Sequence, residues 1–256
     1  MLQDYKIHVQ ERLEQGIPPL PLNAEQVSGL VELLKSPPPS EEEYILDMIT
    51  NRTPAGVDPA AYIKAAFLTD VAKGNTSCPL IDRKHATKLL GTMLGGYNVE
   101  SLINLLTDDE VGSLAADGLC NTLLMFNAKH DVIELAKKNE NAKRVVESWS
   151  EAEWFTSKPE LPEMIKAIVF RVDGEINTDD LSPAPDAPSR PDIPLHALAM
   201  LKKTMQDPIT TIDKLKESGL PVVFVGDVVG TGSSRKSATN SLLWHIGEDI
   251  PFIPNK

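Results

Sequence analysis

A chain of 256 residues, 41% hydrophobic and 24% charged, is long enough for two soluble domains of ordinary size. It has no apolar run near the roughly 20 residues that cross a bilayer, and Met1–Lys6 does not begin a secretory signal, so no membrane partner is expected. The net charge of −12 is concentrated early, with 15 Lys/Arg against 24 Asp/Glu in residues 1–160 and 10 against 13 thereafter, and it repels nucleic acid over most of the surface.

Residues 1–160 read as helices separated by Pro- and Gly-bearing turns. The stretch from Asp4 to Gln15 carries Tyr5, Val9 and Leu13 at helical spacing. Asn23 is a candidate N-cap for a run through Val27, Leu30, Val31 and Leu34, which the prolines at 37–39 terminate. Ser40 with Glu43 has capping-box spacing and leads into Tyr44, Leu46 and Ile49. Asp58 followed by Pro59 opens a helix through Ile63, Phe67 and Val71, and Asp82 opens one through Ala86, Leu89 and Leu90. The pattern continues over Asn98–Leu106, Glu110–Phe126, Val132–Lys138 and Ala142–Phe155. Short helices with short turns suggest stacked antiparallel pairs, an α-solenoid, although no strict repeat is present. The basic cluster Lys137, Lys138, Lys143 and Arg144 reads as a solvated helix face.

Near residue 160 the texture changes. Pro159–Pro162 is a candidate linker, so the expected division is 1–160 and 161–256. Met164–Val172 and Pro221–Val225 read as strands, while Leu195–Met205, Thr211–Ser218 and the stretch from Ser234 onward read as helices. The fold class expected is therefore multidomain, α followed by α/β, with functional turns at strand ends.

The turn Gly230-Thr-Gly-Ser-Ser-Arg-Lys-Ser237, between a strand and a helix, carries the most chemistry. Glycines admit a ligand close to backbone, the helix N-terminus favours an anion, and the Arg235 fork matches a carboxylate. Ser233 and Ser234 can donate to an oxyanion or, if activated, exchange a proton. The segment lacks the Gly-Lys-Ser/Thr of a phosphate loop and the third glycine of a dinucleotide fingerprint. Local chemistry also leaves open a plain Gly/Ser turn capping an ordinary helix.

This turn resembles the substrate-binding turn of the aconitase swivel domain in its bacterial B-type form. Two upstream segments extend the resemblance in family order: Gly174-Glu-Ile-Asn-Thr-Asp-Asp-Leu-Ser182 and Ser189-Arg-Pro-Asp-Ile-Pro-Leu-His196. Leu30–Lys35 and Leu90–Asn98 are also similar to the B-type pattern, so the likeness covers essentially the whole chain. It implies a HEAT-like helical domain over 1–160 and a swivel domain, truncated at its end, over 161–256. It further implies interconversion of citrate and isocitrate through cis-aconitate, with 2-methylisocitrate as a related substrate. Ser233 matches the family's serine base and Asp179 its catalytic-site aspartate, expected to orient an arginine or histidine. Arg190, Ser234 and Arg235 match residues that hold substrate carboxylates, Ser233 is counted with them as substrate-binding, and His196 reads as structural.

The family's [4Fe–4S] cluster is held by three cysteines. Cys78 and Cys120 are the only two here and lie in no cluster motif, so they read as buried structural thiols in helical regions. No cofactor is therefore expected in this chain, the cluster belonging to polypeptide beyond Lys256. A cytoplasmic N-terminal portion of the enzyme, inactive alone, is the expectation. Its expected partners are the tricarboxylate and the remaining aconitase domains, with a homodimer or other enzymes contacting the helical domain. The alternative is a protein-binding or RNA-binding regulatory module, with mRNA as partner.

Overall fold

Polar caps and prolines decide where the N-terminal helices start and stop. The computed structural model describes residues 1–248 apart from 55, 94–95, 123–126, 158–159 and 190–192, with backbone alone at 154 and 155. Helix α1 spans Leu2–Glu14. Contacts divide the chain into two units: Leu22–Glu160 forms one, and Met1–Pro21 groups with the stretch from Leu161 on. Just past α1, the Gly16 carbonyl accepts from Lys202 Nζ at 2.8 Å. Periodicity makes α1 a helix but does not say which core it joins.

In the helical unit, α2 (Ala24–Lys35) starts with the expected Asn23 cap, here a full box: Asn23 Oδ1 accepts from the Gln26 N–H and Gln26 Oε1 from the Asn23 N–H, both at 2.9 Å. The box expected at Ser40 does not form. A turn from the Glu41 N–H to the Pro38 carbonyl places Ser40 at φ 67°, and Glu41 becomes the N-cap of α3 (Glu42–Asn51), with no side-chain cap bond. Asp58 caps α4 (Pro59–Ala72) through the Ala60 N–H at 2.8 Å, and Asp82 caps α5 (Arg83–Gly91) through the His85 N–H at 2.6 Å. Then follow α6 (Val99–Leu105), α7 (Gly112–Cys120), α8 (Lys129–Ala136), α9 (Glu140–Glu151) and α10 (Glu153–Thr156). The helix expected over Glu110–Phe126 is thus shorter, and its last four residues lie outside the described ones.

Packing runs from neighbour to neighbour: α2 on α3 and α4, α4 on α5, α5 on α7, and α9 on both α7 and α8. This is the quasi-one-dimensional logic of the expected α-solenoid. Leu30, Leu34, Ile45, Met48, Ile49 and Leu68 are fully buried, each contributing about 1.5–3 kcal/mol of transfer free energy.

Arg83 ties three successive pieces of this stack together. Its Nε donates to the Ala72 carbonyl at 2.8 Å at the end of α4, and its two Nη atoms reach Asp108 and Glu110 at 2.5 Å. Burial pushes the Asp108 carboxyl up, but the Glu110 and Val111 backbone N–H groups and the Arg83 guanidinium outweigh it, so its pKa lies below the ordinary value. A depressed folded-state pKa contributes stability that is present above the ordinary carboxylate range and lost as pH falls through the folded value. Arg83→Met is therefore expected to lower the unfolding free energy by about 1–2 kcal/mol at neutral pH. Urea denaturation of both proteins should show the gap shrinking on acidification into that range.

In the α/β unit, β1 (Ile168–Asn177) and β2 (Val222–Thr231) pair in parallel, with Ile168 opposite Val222 and Asn177 opposite Thr231. Both run past their expected ends at Val172 and Val225, because each supplies the other's ladder beyond the apolar runs. The register shifts between Val172 and Glu175, where the Gly174 N–H donates to Asp227 Oδ2 at 2.8 Å. Between the strands lie α11 (Thr178–Leu181), a 3₁₀ turn (Ala184–Ser189), α12 (Ile193–Ala197) and α13 (Pro208–Lys216), and α14 (Arg235–Ile246) follows β2. The helix expected over Leu195–Met205 ends early. Leu201 sits at φ 58° with its N–H donating to the Asp180 carbonyl at 2.7 Å, which draws the chain back onto α11. Phe170, Val172, Ile176, Leu201, Ile212 and Ala238 form the centre of the core.

Candidate functional site at the strand ends

Parallel pairing puts the carboxyl ends of β1 and β2 side by side, the place where α/β folds gather ligand-binding turns. Each strand runs directly into a helix N-terminus. After β1, Asn177 closes a capping box: its Oδ1 accepts from the Asp179 and Asp180 N–H groups at 2.8 and 3.0 Å, and Asp180 Oδ2 accepts from the Asn177 N–H at 2.9 Å. Asp180 is further held by Thr204, whose hydroxyl donates to Oδ1 at 3.0 Å. Asp179, its neighbour, is left exposed on this fixed turn.

After β2, Gly230 and Gly232 adopt φ 83° and 102°, and the chain enters α14 at Ser234, whose side chain forms no cap bond. The Arg235 N–H donates to the Ser233 carbonyl at 2.9 Å, and no side-chain oxygen caps the N–H groups that follow it at the positive end of the α14 dipole. Ser233 and Arg235 are exposed and Ser234 half-buried, and among the described residues Arg235 has no ion-pair partner. Two hydroxyls, a guanidinium and uncapped N–H groups make a surface that can take a carboxylate.

The two turns meet. The Ser234 N–H donates to Thr178 Oγ1 at 3.3 Å, and the Thr231 hydroxyl donates to Glu175 Oε1 at 2.7 Å. Ser233, Ser234 and Arg235 therefore sit on one turn and Asp179 on the adjoining one, while Arg190 lies outside the described residues. Sequence reasoning missed Asn177 and Thr178. The three-residue spacing of Asn177 and Asp180 is a legible capping-box signal, whereas nothing local marks Thr178.

The same unit holds a buried polar cluster. His196, 2% exposed, is bonded through Nε2 to Ser182 Oγ at 2.8 Å and through Nδ1 to Ser189 Oγ at 2.9 Å, which suits the structural role expected of it. The buried Asp186 carboxylate meets Lys202 Nζ at 2.6 Å.

The thiols do not match their expected setting. Cys78 lies in the loop between α4 and α5 with Sγ 3.3 Å from the Leu34 carbonyl, Cys120 ends α7, and both are half-buried rather than buried. The loop follows from the turn closing at Gly74–Thr76 after α4, which no periodic residue announces. Two separate thiols do not fit a cluster held by three, and the described residues contain no group of three His, Cys, Asp or Glu placed to hold a metal ion. Among the described residues no helix is long and apolar enough to cross a membrane.

Comparison with known proteins gives two family matches. The model described as "Aconitate B N-terminal domain" matches residues 4–155, and that described as "Aconitate hydratase 2 N-terminus" matches residues 167–256. Over its whole length the chain is 60% identical to 31% of aconitate hydratase B from Pseudomonas aeruginosa. The corresponding protein of Synechocystis sp. is 59% identical over 30% of its length, and that of Escherichia coli 56% over 31%. The chain thus spans just under a third of the length of these curated relatives.

Proposed function

The chain belongs to the aconitate hydratase B family, and from that premise we propose that it supplies the substrate-gripping part of an enzyme interconverting citrate and isocitrate through cis-aconitate. In this reading Arg235, Ser234 and Arg190 hold carboxylates of the tricarboxylate. Ser233, its alkoxide favoured by the α14 N-terminus and Arg235, takes the proton next to a carboxylate. Asp179, on the adjoining turn, orients a cationic partner of the substrate. The [4Fe–4S] cluster belongs to the remaining aconitase domains, and 2-methylisocitrate is a further substrate of the same carboxylate grip.

One observation carries the reading: the Ser233–Arg235 turn and the Asp179 turn, distant in sequence, adjoin at the carboxyl ends of two parallel strands. The RNA-regulatory alternative finds less support. In the basic cluster Lys137 pairs with Glu134 at 2.6 Å, Lys143 lies 3.9 Å from both Glu140 and Glu147, and Arg144 is bonded to Asp117. A nucleic-acid phosphate would have to displace those carboxylates.

The test is complementation. Mixed with the remaining cluster-bearing domains, the chain is expected to restore conversion of citrate, followed by the ultraviolet absorbance of cis-aconitate, and the Arg235→Ala chain is expected not to. Restoration by the variant, or none by the native chain, would remove the proposal.

A further inference from the structure

The segment Gly232-Ser233-Ser234 is pinned on both sides of Ser233. Before it, Thr231 is tied to Glu175 of β1; after it, the Ser234 N–H rests on Thr178 Oγ1 at 3.3 Å. The same oxygen sets the path of Gly232, since a Cβ there would lie 2.4 Å from it. Thr178 is 3% exposed, and its carbonyl accepts from the Ser182 N–H at 2.9 Å, so α11 fixes its backbone. It is the residue directly before the exposed Asp179. A single buried hydroxyl thus touches the turn bearing Ser233 and belongs to the turn bearing Asp179.

We propose that Thr178 is a positioning residue: its hydroxyl sets the backbone of Gly232–Ser234 and thereby the placement of Ser233 relative to substrate. The proposal rests on the reading of Ser233 as the base. The hydroxyl acts as an acceptor to a backbone N–H and takes no part in proton transfer. A threonine suits this task because its branched Cβ leaves few χ1 choices, so the oxygen is held where the turn needs it.

The test compares Thr178→Val, which keeps the shape but removes the acceptor, with Thr178→Ser, which keeps the acceptor. Two readouts apply: steady-state kinetics after complementation with the remaining aconitase domains, and hydrogen exchange at the Ser234 amide by NMR in the chain itself. Thr178→Val is expected to lower kcat about 100-fold with KM changed less than about threefold, because the base is misplaced while carboxylate binding persists. It should also speed exchange at Ser234, while Thr178→Ser stays near the native protein in both. Equal loss in the two variants, or native kcat and protection in Thr178→Val, would overturn the proposal. If Thr178→Val does not fold, Thr178→Ala takes its place under the same criteria. Should the native chain restore no activity, the reading of Ser233 falls, while the amide exchange still decides whether Thr178 holds the turn.

Discussion

Ser233→Ala, in the complemented enzyme, is expected to lower kcat by about 10²–10⁴-fold with little change in KM. Ser233 is exposed in the turn that opens α14, where the helix carries no side-chain cap. An ordinary serine hydroxyl is far too weak an acid to serve as a base at neutral pH. Helix N–H donors, the dipole and the neighbouring Arg235 each favour its anion, and that preference is what the reaction needs. Removing the hydroxyl takes away a group that acts in the transition state, so the loss falls on kcat. Arg235→Lys gives the contrasting pattern. It keeps the charge but loses the planar fork that grips two carboxylate oxygens at once, so it is expected to raise KM more than it lowers kcat. Steady-state kinetics on both variants separates the two roles. A Ser233→Ala enzyme with native kcat would place the base elsewhere.

Gly232→Ala is expected to be nearly as damaging through backbone geometry alone. The residue sits at φ 102°, where an L side chain is strained, and its Cβ would fall 2.4 Å from Thr178 Oγ1. Thr178 is buried, so relieving the clash displaces either its hydroxyl or the turn itself. A displacement of about 1 Å at a reacting group can cost about 100-fold in rate, and the strain adds about 1–3 kcal/mol of destabilisation. Gly230→Ala is the control. Gly230 has φ 83°, but a Cβ there would meet nothing within 4 Å, so the variant bears the strain without the clash. Activity and thermal unfolding of the two variants, measured side by side, isolate the close approach. Equal losses would show that Thr178 does not constrain the turn.

Much of the site was legible because its signals are short-range. The Gly-x-Gly-Ser-Ser-Arg turn lies between a strand and a helix as its composition requires, and Asp179 lies on a polar turn at a strand end. Asn177 was legible too, through its spacing to Asp180. Thr178 was not, since the N–H it meets is 56 residues away and no local pattern names a partner at that distance. The Ser40 capping box shows the opposite failure: the spacing was right, but the turn after the prolines at 37–39 placed Ser40 in a left-handed conformation that a cap does not use.

From the sequence by itself came the caps at Asn23, Asp58 and Asp82, the break after Lys35, the change from helical to α/β texture near residue 160, and the place of the Ser233–Arg235 turn between a strand and a helix. These depend on hydrogen bonds and conformational preferences within a few residues, which the order of side chains encodes directly. Tertiary structure alone decided that α1 joins the α/β unit, that β1 and β2 outrun their apolar cores, that the chain turns back at Leu201, and that Thr178 meets Ser234. Each of those outcomes depends on which distant surface or ladder is available as a partner, and periodicity specifies a face to bury without specifying what buries it.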